Sequence, residues 1–316
     1  MTRRTLPRPH TRYHHEAYFW RGLDDFLERT VGFVLEGLEL DMAVMVAVPH
    51  ERWRPLRAAL GPAADQVAYA DMARLGRNPA RIIPAWRAFV DEHAPDGTAL
   101  RGVAEPVWAG RRAAEIAECQ VHESLMNLAI PAAAPLWLLC PYDAGSLAPE
   151  VLAEVERTHP VVGHGAEAVS SPTYVPTEPG TALLRPELDA PPTWAEVLEF
   201  GDSDLTGVRK AVRRAARAAG LDPGRTDDLV LAVNEVAANS LDHGGGSGVM
   251  HLWRGIDELV VEVHDRGRFT DPLAGRIDPA PGQVRGRGLW IANRLADLVQ
   301  IRPQPTGTVV RVSTWL

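Results

Sequence analysis

The chain has 316 residues, a formal net charge of −8 and 46% hydrophobic residues, which predicts a globular protein of about two domains. The acidic balance disfavours a broad phosphate-binding surface, so nucleic acid is not an expected direct partner. The longest apolar run, residues 129–140, is interrupted by Pro131 and Pro135 and is too short to span a bilayer. The basic N-terminal stretch has no apolar core after it and does not resemble a secretory signal. We therefore expect a cytoplasmic protein without a membrane partner.

The two cysteines and the single lysine exclude a disulfide scaffold and two common types of ATP site. Cys119 and Cys140 are the two cysteines, each inside an apolar segment, which fits a reducing compartment and excludes a disulfide scaffold. Lys210 is the one lysine, so a P-loop with its Gly-Lys-Ser/Thr cannot form. Because Lys210 lies in a helical pattern, the strand lysine of a conventional protein kinase is excluded as well. Any ATP site must use another geometry.

The first half of the chain alternates strand and helix patterns, which predicts an α/β domain with a mostly parallel sheet. Residues 1 to about 30 suggest a docked segment, and Pro141 is expected to close the strand before it. The expected strands cover residues 42–48, 66–69, 100–108 and 136–140, and the expected helices cover residues 51–60, 79–92, 111–128 and 149–157.

The composition then changes. Six prolines lie between Ser171 and Pro192, a density typical of a stiff, extended linker. We therefore predict a first domain over residues 1–171, a linker over residues 172–194 and a second domain over residues 195–316.

The second half predicts an α+β domain. Helices are expected over residues 205–219 and 289–298 and within residues 227–246, and strands over residues 248–254, 258–264 and 307–315. Residues 255–257 have the composition of a hairpin turn.

The polar residues of the helix within residues 227–246 are its unusual feature. Glu235 and Asn239 are four residues apart in an apolar run and so share one helical face. A carboxylate that can accept a proton and an amide oxygen that can hold a hard cation suit Mg-nucleotide chemistry. A polar pair on a helix edge, with no ligand, is the alternative.

Three short motifs follow this helix. Asp265-Arg266-Gly267 stands at a strand end, where the carboxylate could accept from an exocyclic amine and the glycine could let a flat ring approach. Gly286-Arg287-Gly288-Leu289 opens a helix, where backbone N–H groups can cradle phosphate. Gly307-Thr308 opens the last strand. A simple turn explains the first motif alone, and a flexible loop explains the second equally well.

The order of these motifs resembles the GHKL, or Bergerat-fold, ATP-binding domain over residues 200–316. The resemblance implies an α+β sandwich that binds ATP with Mg²⁺. It implies that Asn239 ligates Mg²⁺, that Glu235 is the catalytic base, and that Asp265 receives the adenine amine above Gly267. Further implied nucleotide contacts are Gly286 and Gly288 in a lid, Leu289 beside them, Thr308 through water, Arg287 and Arg285 at the γ-phosphate, and His243, which we interpret first as helix-end structure. Where many histidine kinases have a second glycine after Asp-x-Gly, Arg268-Phe269 follows here.

The first half resembles the MEDS sensory domain. The motifs that carry the resemblance are Glu105-Pro106-Val107-Trp108, Glu118-Cys119-x-x-His122-Glu123 and Trp137-Leu138-Leu139-Cys140-Pro141-Tyr142-Asp143. Cys119, His122 and Cys140 could ligate a metal, but we interpret the two cysteines as core residues of a helix and a strand. Glu118 and His122, four apart, could simply pair.

Asn-Glu-Val-Ala-Ala-Asn-Ser-Leu and Gly-Arg-Gly-Leu-Trp-Ile within the second half are most similar to the anti-sigma factor kinases of bacterial partner switching. That resemblance implies a serine/threonine protein kinase that acts on an anti-sigma antagonist and holds a sigma factor, as a monomer or a homodimer. Two alternatives remain open: an orphan histidine kinase, with His159 or His164 as acceptor, and a non-catalytic module that grips a sigma factor with ATP bound.

Overall fold

The computed structural model describes residues 11–164, 167–178, 187–201, 204–280, 282–283 and 286–316, with the side chains of His164 and Glu167 excepted. It divides into two compact units. Unit 1 comprises Met1–Gly76 and Ala85–Thr177, and unit 2 comprises Arg77–Pro84 and Glu178–Leu316. The helices in these ranges include none with the length and apolar character of a bilayer span.

The described part of the chain up to residue 178 alternates strands and helices, as the sequence predicted. The strands are β1 His14–Trp20, β2 Ala43–Val48, β3 Ala68–Asp71, β4 Leu100–Ala104, β5 Leu136–Asp143, β6 Val161–His164 and β7 Glu167–Ser170. The helices are α1 Leu23–Glu39, α2 His50–Leu60, α3 Met72–Leu75, α4 Ile82–His93, α5 Ala113–Ala129 and α6 Pro149–Thr158, with 3₁₀ turns at Gly61–Gln66 and Pro79–Arg81.

The strands of unit 1 that the structure describes form one sheet in the order β3-β2-β4-β5-β1-β6-β7. Neighbouring strands are parallel except β6 and β7, which confirms the predicted mostly parallel α/β domain. The segment expected only to dock near the N-terminus is instead the strand β1, and it lies between β5 and β6.

Pro141 does not end its strand, contrary to the prediction. β5 continues to Asp143, and Pro141 pairs with Tyr18 of β1. The pairing of β5 with β4 reaches only to Leu139, so Pro141 has a neighbouring strand on one side. A residue without a backbone N–H is tolerated where a ladder bond is not required.

Unit 2 contains a five-stranded antiparallel sheet among its described residues, in the order β11-β12-β10-β9-β8. The strands are β8 Glu196–Gly201, β9 Ser247–Arg254, β10 Glu258–Asp265, β11 Leu298–Gln304 and β12 Gly307–Trp315, and the helices are α7 Leu205–Ala218, α8 Pro223–His243 and α9 Gly288–Leu295. The predicted hairpin between β9 and β10 is confirmed, as is the α+β class.

The core of unit 2 lies between its sheet and its helices. Val233, Val236 and Ala237 of α8 pack in one apolar cluster with Met250 of β9 and Val261 of β10. These α8 residues recur at three- and four-residue steps, so one stripe of the helix is buried and the stripe with Glu235 and Asn239 is left half-buried.

The ends of two helices explain the boundaries that the sequence misplaced. α8 begins at Pro223, because Asp222 accepts a hydrogen bond from the backbone N–H of Arg225 at 3.0 Å and caps the helix. α9 ends at Leu295 and not at Leu298. Beyond it, the buried carboxylate of Asp297 accepts from the backbone N–H of Trp315 at 2.7 Å, which turns the chain into β11.

Candidate functional site

A cavity of ≈ 280 Å³ in unit 2 lies where the end of α8, the end of β10, the start of α9 and the start of β12 meet. These elements come from distant parts of the chain and are brought together by the antiparallel sheet. The predicted site residues that line this cavity are Asn239, His243, Asp265, Gly267, Gly286, Gly288, Leu289 and Thr308.

Asp265 is held rigidly at the end of β10. Its Oδ1 accepts from the backbone N–H of Gly267 at 2.8 Å, and its Oδ2 accepts from the hydroxyl of Ser240 at 2.7 Å. Each carboxylate oxygen has a second lone pair. The carboxylate is therefore fixed in direction and still able to accept a hydrogen bond from a ligand.

Thr308 lies opposite Asp265 in the pairing of β10 with β12. Its hydroxyl donates to the backbone carbonyl of Gly267 at 2.8 Å. The hydroxyl oxygen keeps its lone pairs toward the cavity, so it can accept from a ligand or from a water.

The backbone of β10 is supported by an ion-paired carboxylate. Glu262 accepts from Arg311 of the paired strand β12 at 2.6 Å and contacts His264 at 2.6 Å. Burial disfavours the charged form of Glu262, but the hydrogen bonds from His264 and Arg311 outweigh it and lower the pKa of Glu262. The strand that presents Asp265 is thus locked to its neighbour.

Glycines let α8 and β10 approach closely beneath the cavity. A Cβ at Gly244 would lie 2.6 Å from the Cβ of Asp265, and one at Gly267 would lie 2.7 Å from the carbonyl oxygen of His243. No side chain fits at either position without moving backbone. The floor of the cavity is therefore bare main chain, against which a flat ring can lie.

Glu235 and Asn239 both face the first residue of α9. A Cβ on Gly288 would lie 3.1 Å from Oε2 of Glu235 and 3.2 Å from Oδ1 of Asn239. Asn239 lines the cavity, and Glu235 lies beside Gly288, which lines it as well. Carboxylate and amide oxygens are the donors that Mg²⁺ prefers, so the residues present fit a magnesium ion.

The start of α9 presents backbone N–H groups toward this place. Gly286 has a left-handed φ of 78°, and Arg287 precedes the first helical residue. Nε of Arg287 has no hydrogen-bond partner among the described residues. Free N–H groups and the helix dipole favour an anion here. Arg285, the other arginine predicted near the γ-phosphate, lies outside the described residues.

Several contributors escaped the sequence prediction. Ser240 orients Asp265, Phe269 lines the cavity and packs on the core of unit 2, and Gly275, with φ 75°, lies against Leu289. Ser240 follows Asn239 directly, one third of a helical turn away, which is a signal that could have identified it. Phe269 and Gly275 carry no such signal.

A larger depression of ≈ 660 Å³ lies beside the cavity and shares Asp265 and Thr308 with it. Its other walls come from β8, β9 and the turn between β11 and β12. Among the residues that the structure describes, those that line this depression do not include Glu235, Asn239 or the start of α9. The smaller cavity is therefore the better candidate for chemistry.

Comparison with known families gives a match for each half of the chain. Residues 14–160 match the model of the MEDS family, described as the methanogen/methylotroph, DcmR sensory domain. Residues 201–314 match the model described as the histidine kinase-like ATPase domain. The second match includes every predicted nucleotide-site residue.

Among solved structures, the chain is similar to the RsbU and RsbW domains of Rv1364c from Mycobacterium tuberculosis, with 20% sequence identity and a TM-score of 0.29. The similarity covers 38% of this chain and 32% of that chain, so the chain spans about a third of that protein. No curated protein sequence matches the chain.

Proposed function

We propose that this chain, which joins a MEDS domain to a histidine kinase-like ATPase domain, is an ATP-dependent anti-sigma factor. It phosphorylates a serine or threonine of an antagonist protein and is regulated through its MEDS domain. The observation that carries the proposal is the cavity of unit 2, where Asp265, Asn239 and Gly288 meet. Adenine, magnesium and phosphate each find a suitable partner there.

The adenine end of the cavity is built around Asp265. Its carboxylate accepts from the exocyclic amine of adenine, the bare backbone at Gly267 lies under the ring, and Thr308 completes the contact through water. The supporting observations are the two hydrogen bonds that fix Asp265 and the hydroxyl of Thr308 at the same wall.

The phosphate end is built around α8 and α9. Asn239 ligates Mg²⁺, which offsets the charge of the phosphates when bound. Gly286, Gly288 and Leu289 offer backbone N–H groups to the phosphates, and Arg287 approaches the γ-phosphate. His243 is the last residue of α8 and is exposed at the cavity, so its first role is helix-end structure and its second is a phosphate contact.

Glu235 performs the proton transfer. Its carboxylate accepts the proton of the substrate hydroxyl while that oxygen forms a bond to the γ-phosphorus and the bond to the β-phosphate oxygen breaks, which leaves ADP. The position of Glu235 beside Asn239 and Gly288 supports this role, since the hydroxyl must attack beside the residues that would hold magnesium and the phosphates.

The choice of serine or threonine over histidine is supported by two observations. His159 is fully buried, and its Nδ1 donates to the carbonyl of Val155 at 2.9 Å, so it cannot reach a nucleotide. Between α6 and β8, residues 165–166 and 179–186 aside, the chain forms β6, β7 and coil where a histidine kinase would carry a long dimerising hairpin.

The partners follow from this assignment. The antagonist presents its hydroxyl at the open side of the cavity, and the sigma factor is held when the antagonist is phosphorylated. Exposed cations of α7, such as Lys210 and Arg217, offer a basic face for an acidic partner surface. A homodimer is compatible with this arrangement.

The test is to incubate the full chain with Mg-ATP and the antagonist encoded nearest to it, and to map phosphate by mass spectrometry. Phosphoserine or phosphothreonine on the antagonist is expected. Acid-labile phosphate on this chain would support the histidine kinase instead. Tight nucleotide binding with no transfer to any protein would support the non-catalytic sigma-binding module.

Two variants separate binding from chemistry. Glu235→Gln keeps the shape of the site, so it should bind Mg-ATP as the wild type does and lose about 10²- to 10⁴-fold in transfer rate. Asn239→Ala removes the metal ligand and should weaken the binding of Mg-ATP itself, measured by calorimetry. The roles are wrong if Glu235→Gln transfers phosphate at the wild-type rate.

A further inference from the structure

Four buried side chains of unit 1 converge on one point. They are His15 of β1, Glu123 of α5, Cys140 of β5 and His159, which follows α6. One ligand atom from each lies within 4.8 Å of all the others. None of the four is more than 3% exposed. His15 is more than 100 residues from the other three in sequence, so no local sequence motif identifies the group.

The tautomer of His15 is fixed by a chain of hydrogen bonds. Nδ2 of Asn127 donates to the carbonyl of Thr158 at 2.7 Å, which turns Oδ1 of Asn127 toward His15. Nδ1 of His15 lies 3.0 Å from that oxygen, so the ring proton is on Nδ1. In the neutral ring the lone pair of Nε2 therefore points inward, 3.2 Å from Oε2 of Glu123 and 3.4 Å from Sγ of Cys140.

His159 is oriented in the same way. Its Nδ1 donates to the backbone carbonyl of Val155 at 2.9 Å, which leaves the lone pair on Nε2. Nε2 is buried, lies 3.5 Å from Oε2 of Glu123 and has no hydrogen-bond partner among the described residues. A buried polar atom without a partner is costly, so the position calls for a ligand.

Two imidazole lone pairs thus face one carboxylate oxygen and one thiol. Oε1 of Glu123 accepts from the hydroxyl of Tyr142 at 2.8 Å, which turns Oε2 toward the two histidines. Acceptors that face each other in a dry interior repel unless a positive charge lies between them. The other contacts of the two histidines are also those of metal ligands. A histidine that binds a metal through one ring nitrogen donates its other N–H to a carbonyl or similar oxygen, as Nδ1 of His15 and Nδ1 of His159 do here.

We propose that His15, Glu123, Cys140 and His159 bind one divalent transition-metal ion of the zinc class. Two imidazoles, a carboxylate and a thiolate form a ligand set that suits zinc and disfavours magnesium or calcium. In a tetrahedral site with bonds of about 2.0–2.3 Å, ligand atoms are separated by about 3.4 Å. The contacts of 3.2, 3.4 and 3.5 Å have this spacing. On binding, Cys140 releases its thiol proton to solvent.

This set differs from the one that the sequence offered. Cys119 lies outside it, because its thiol donates to the carbonyl of Pro106 at 3.3 Å and its sulfur accepts from Arg111 at 2.9 Å. A guanidinium at that distance leaves no room for a second cation. Cys119 is nevertheless as buried as Cys140, which makes it a matched control.

The ion would join β1 of unit 1 to three elements that are distant from it in sequence, α5, β5 and the chain after α6. This proposal is independent of the nucleotide chemistry of unit 2. It predicts that the folded MEDS domain is stabilised by the metal, since the unfolded chain cannot present the four ligands together.

The first measurement is the metal content of the full chain, by inductively coupled plasma mass spectrometry after growth with zinc in the medium. About one zinc-class ion per chain is expected for the wild type and for Cys119→Ser. Cys140→Ser should lose most of it. X-ray absorption of the wild type, which needs no variant, should give nitrogen or oxygen neighbours at about 2.0–2.1 Å and a sulfur at about 2.3 Å.

The second measurement replaces the ion with Co²⁺ after chelation. Tetrahedral ligand-field bands and a thiolate-to-cobalt charge-transfer band should appear, survive Cys119→Ser and vanish in Cys140→Ser. Asn127→Ala, which keeps all four ligands and removes the partner of His15 together with the hydrogen bond to Thr158, should lower Zn²⁺ affinity about 10- to 100-fold. The proposal is overturned if the stripped wild type takes up neither ion, which would leave a buried imidazolium–carboxylate pair. Loss of the charge-transfer band in Cys119→Ser instead would overturn the ligand assignment.

Discussion

Asp265 shows how the structure prepares one residue for recognition. Both oxygens already accept a hydrogen bond from the protein, from Gly267 and from Ser240. Because these bonds already fix the carboxylate, the side chain of Asp265 loses little entropy when it binds a ligand amine. An isosteric amide could keep both contacts, with its oxygen toward the N–H of Gly267 and its nitrogen toward the oxygen of Ser240.

Asp265→Asn should therefore fold normally and lose adenine recognition. A hydrogen bond to a charged group contributes about 1.5–3 kcal/mol, so affinity for Mg-ATP should fall about 10- to 100-fold by titration calorimetry. Asp271→Asn is the matched control, since Asp271 also lines the cavity and also accepts from a backbone N–H. Equal losses in both variants would contradict a specific role for Asp265.

A single methyl group added at Gly288 tests the phosphate end of the cavity. A Cβ there would lie 3.1–3.2 Å from the polar ends of Glu235 and Asn239, so both side chains must shift by a few tenths of an ångström to admit it. Gly288→Ala should displace both side chains and weaken Mg-ATP binding several-fold or more. Gly207→Ala in α7, where the methyl group meets nothing within 4 Å, should leave binding unchanged and stabilise the helix by about 0.5–1 kcal/mol. Unchanged binding in Gly288→Ala would place the phosphates elsewhere.

At the scale of elements, α9 depends on an amide chain inside unit 2. Nδ2 of Asn78 donates to Oδ1 of Asn293 at 3.1 Å, and Nδ2 of Asn293 donates to the carbonyl of Gly275 at 3.1 Å. Asn78 and Asn293 are buried. The chain thus ties the 3₁₀ turn at Pro79–Arg81, helix α9 and the loop that lines the cavity.

Asn78→Ala should loosen α9 without touching the nucleotide. It removes a cap on the N–H of Ala80 and leaves Asn293 unpaired on one side, so unit 2 should lose about 2 kcal/mol of stability. Hydrogen exchange in α9 should quicken more than in β9. Asn234→Ala, which removes one contact with Arg209, is the control and should cost less than about 0.5 kcal/mol. Similar exchange in both variants would mean that the amide chain is dispensable.

The sequence predicted elements well where periodicity was strong and ends were marked. β12 has the predicted bounds, and α7 begins at the predicted residue. α1 was missed although its buried Phe26, Thr30, Phe33, Val34 and Gly37 fall at helical steps. Gly22 precedes it with a φ of 82° and no side-chain cap, so Asp24 and Asp25 in the first turn are the remaining signal of its start.

The residues of the candidate site also divide into those that the sequence could identify and those that it could not. Residues in local motifs, such as Asn239 and Asp265, could be identified from spacing. Ser240 and Gly275 act through contacts with residues 25 and 14 positions away, which only the folded chain brings together. The buried group around His15 and His159 is an extreme case, because β1 itself was not predicted as a strand. Contacts between elements of the folded chain determine these positions, and the local propensity of the sequence does not.

At the scale of the whole molecule, two buried carboxylates, Glu262 of unit 2 and Glu105 of unit 1, have opposite pKa shifts. Unit 2 pairs Glu262 with Arg311 and His264, which keeps that carboxylate ionised. Unit 1 buries Glu105 completely with a single cation near it, since Nε of Arg52 lies 3.4 Å from Oε1 while Oε2 has no hydrogen-bond partner among the described residues. Burial outweighs Arg52 and raises the pKa of Glu105 to about 8.

This difference predicts how stability depends on pH. The pKa of Glu105 is higher in the folded than in the unfolded state, whose ordinary value is 4.5, so the folded state binds the proton more tightly. The contribution is fully present below about pH 4.5 and is lost as pH rises through about 8. Glu105→Gln should remove this fall and be more stable than the wild type at pH 8.

Glu154→Gln, at a half-exposed helix position, should follow the wild type. Calorimetric melting of the three proteins between pH 5 and 8 makes the comparison, and the other titrating groups cancel because all three share them. Parallel curves for Glu105→Gln and the wild type would show that Glu105 is ionised in the fold.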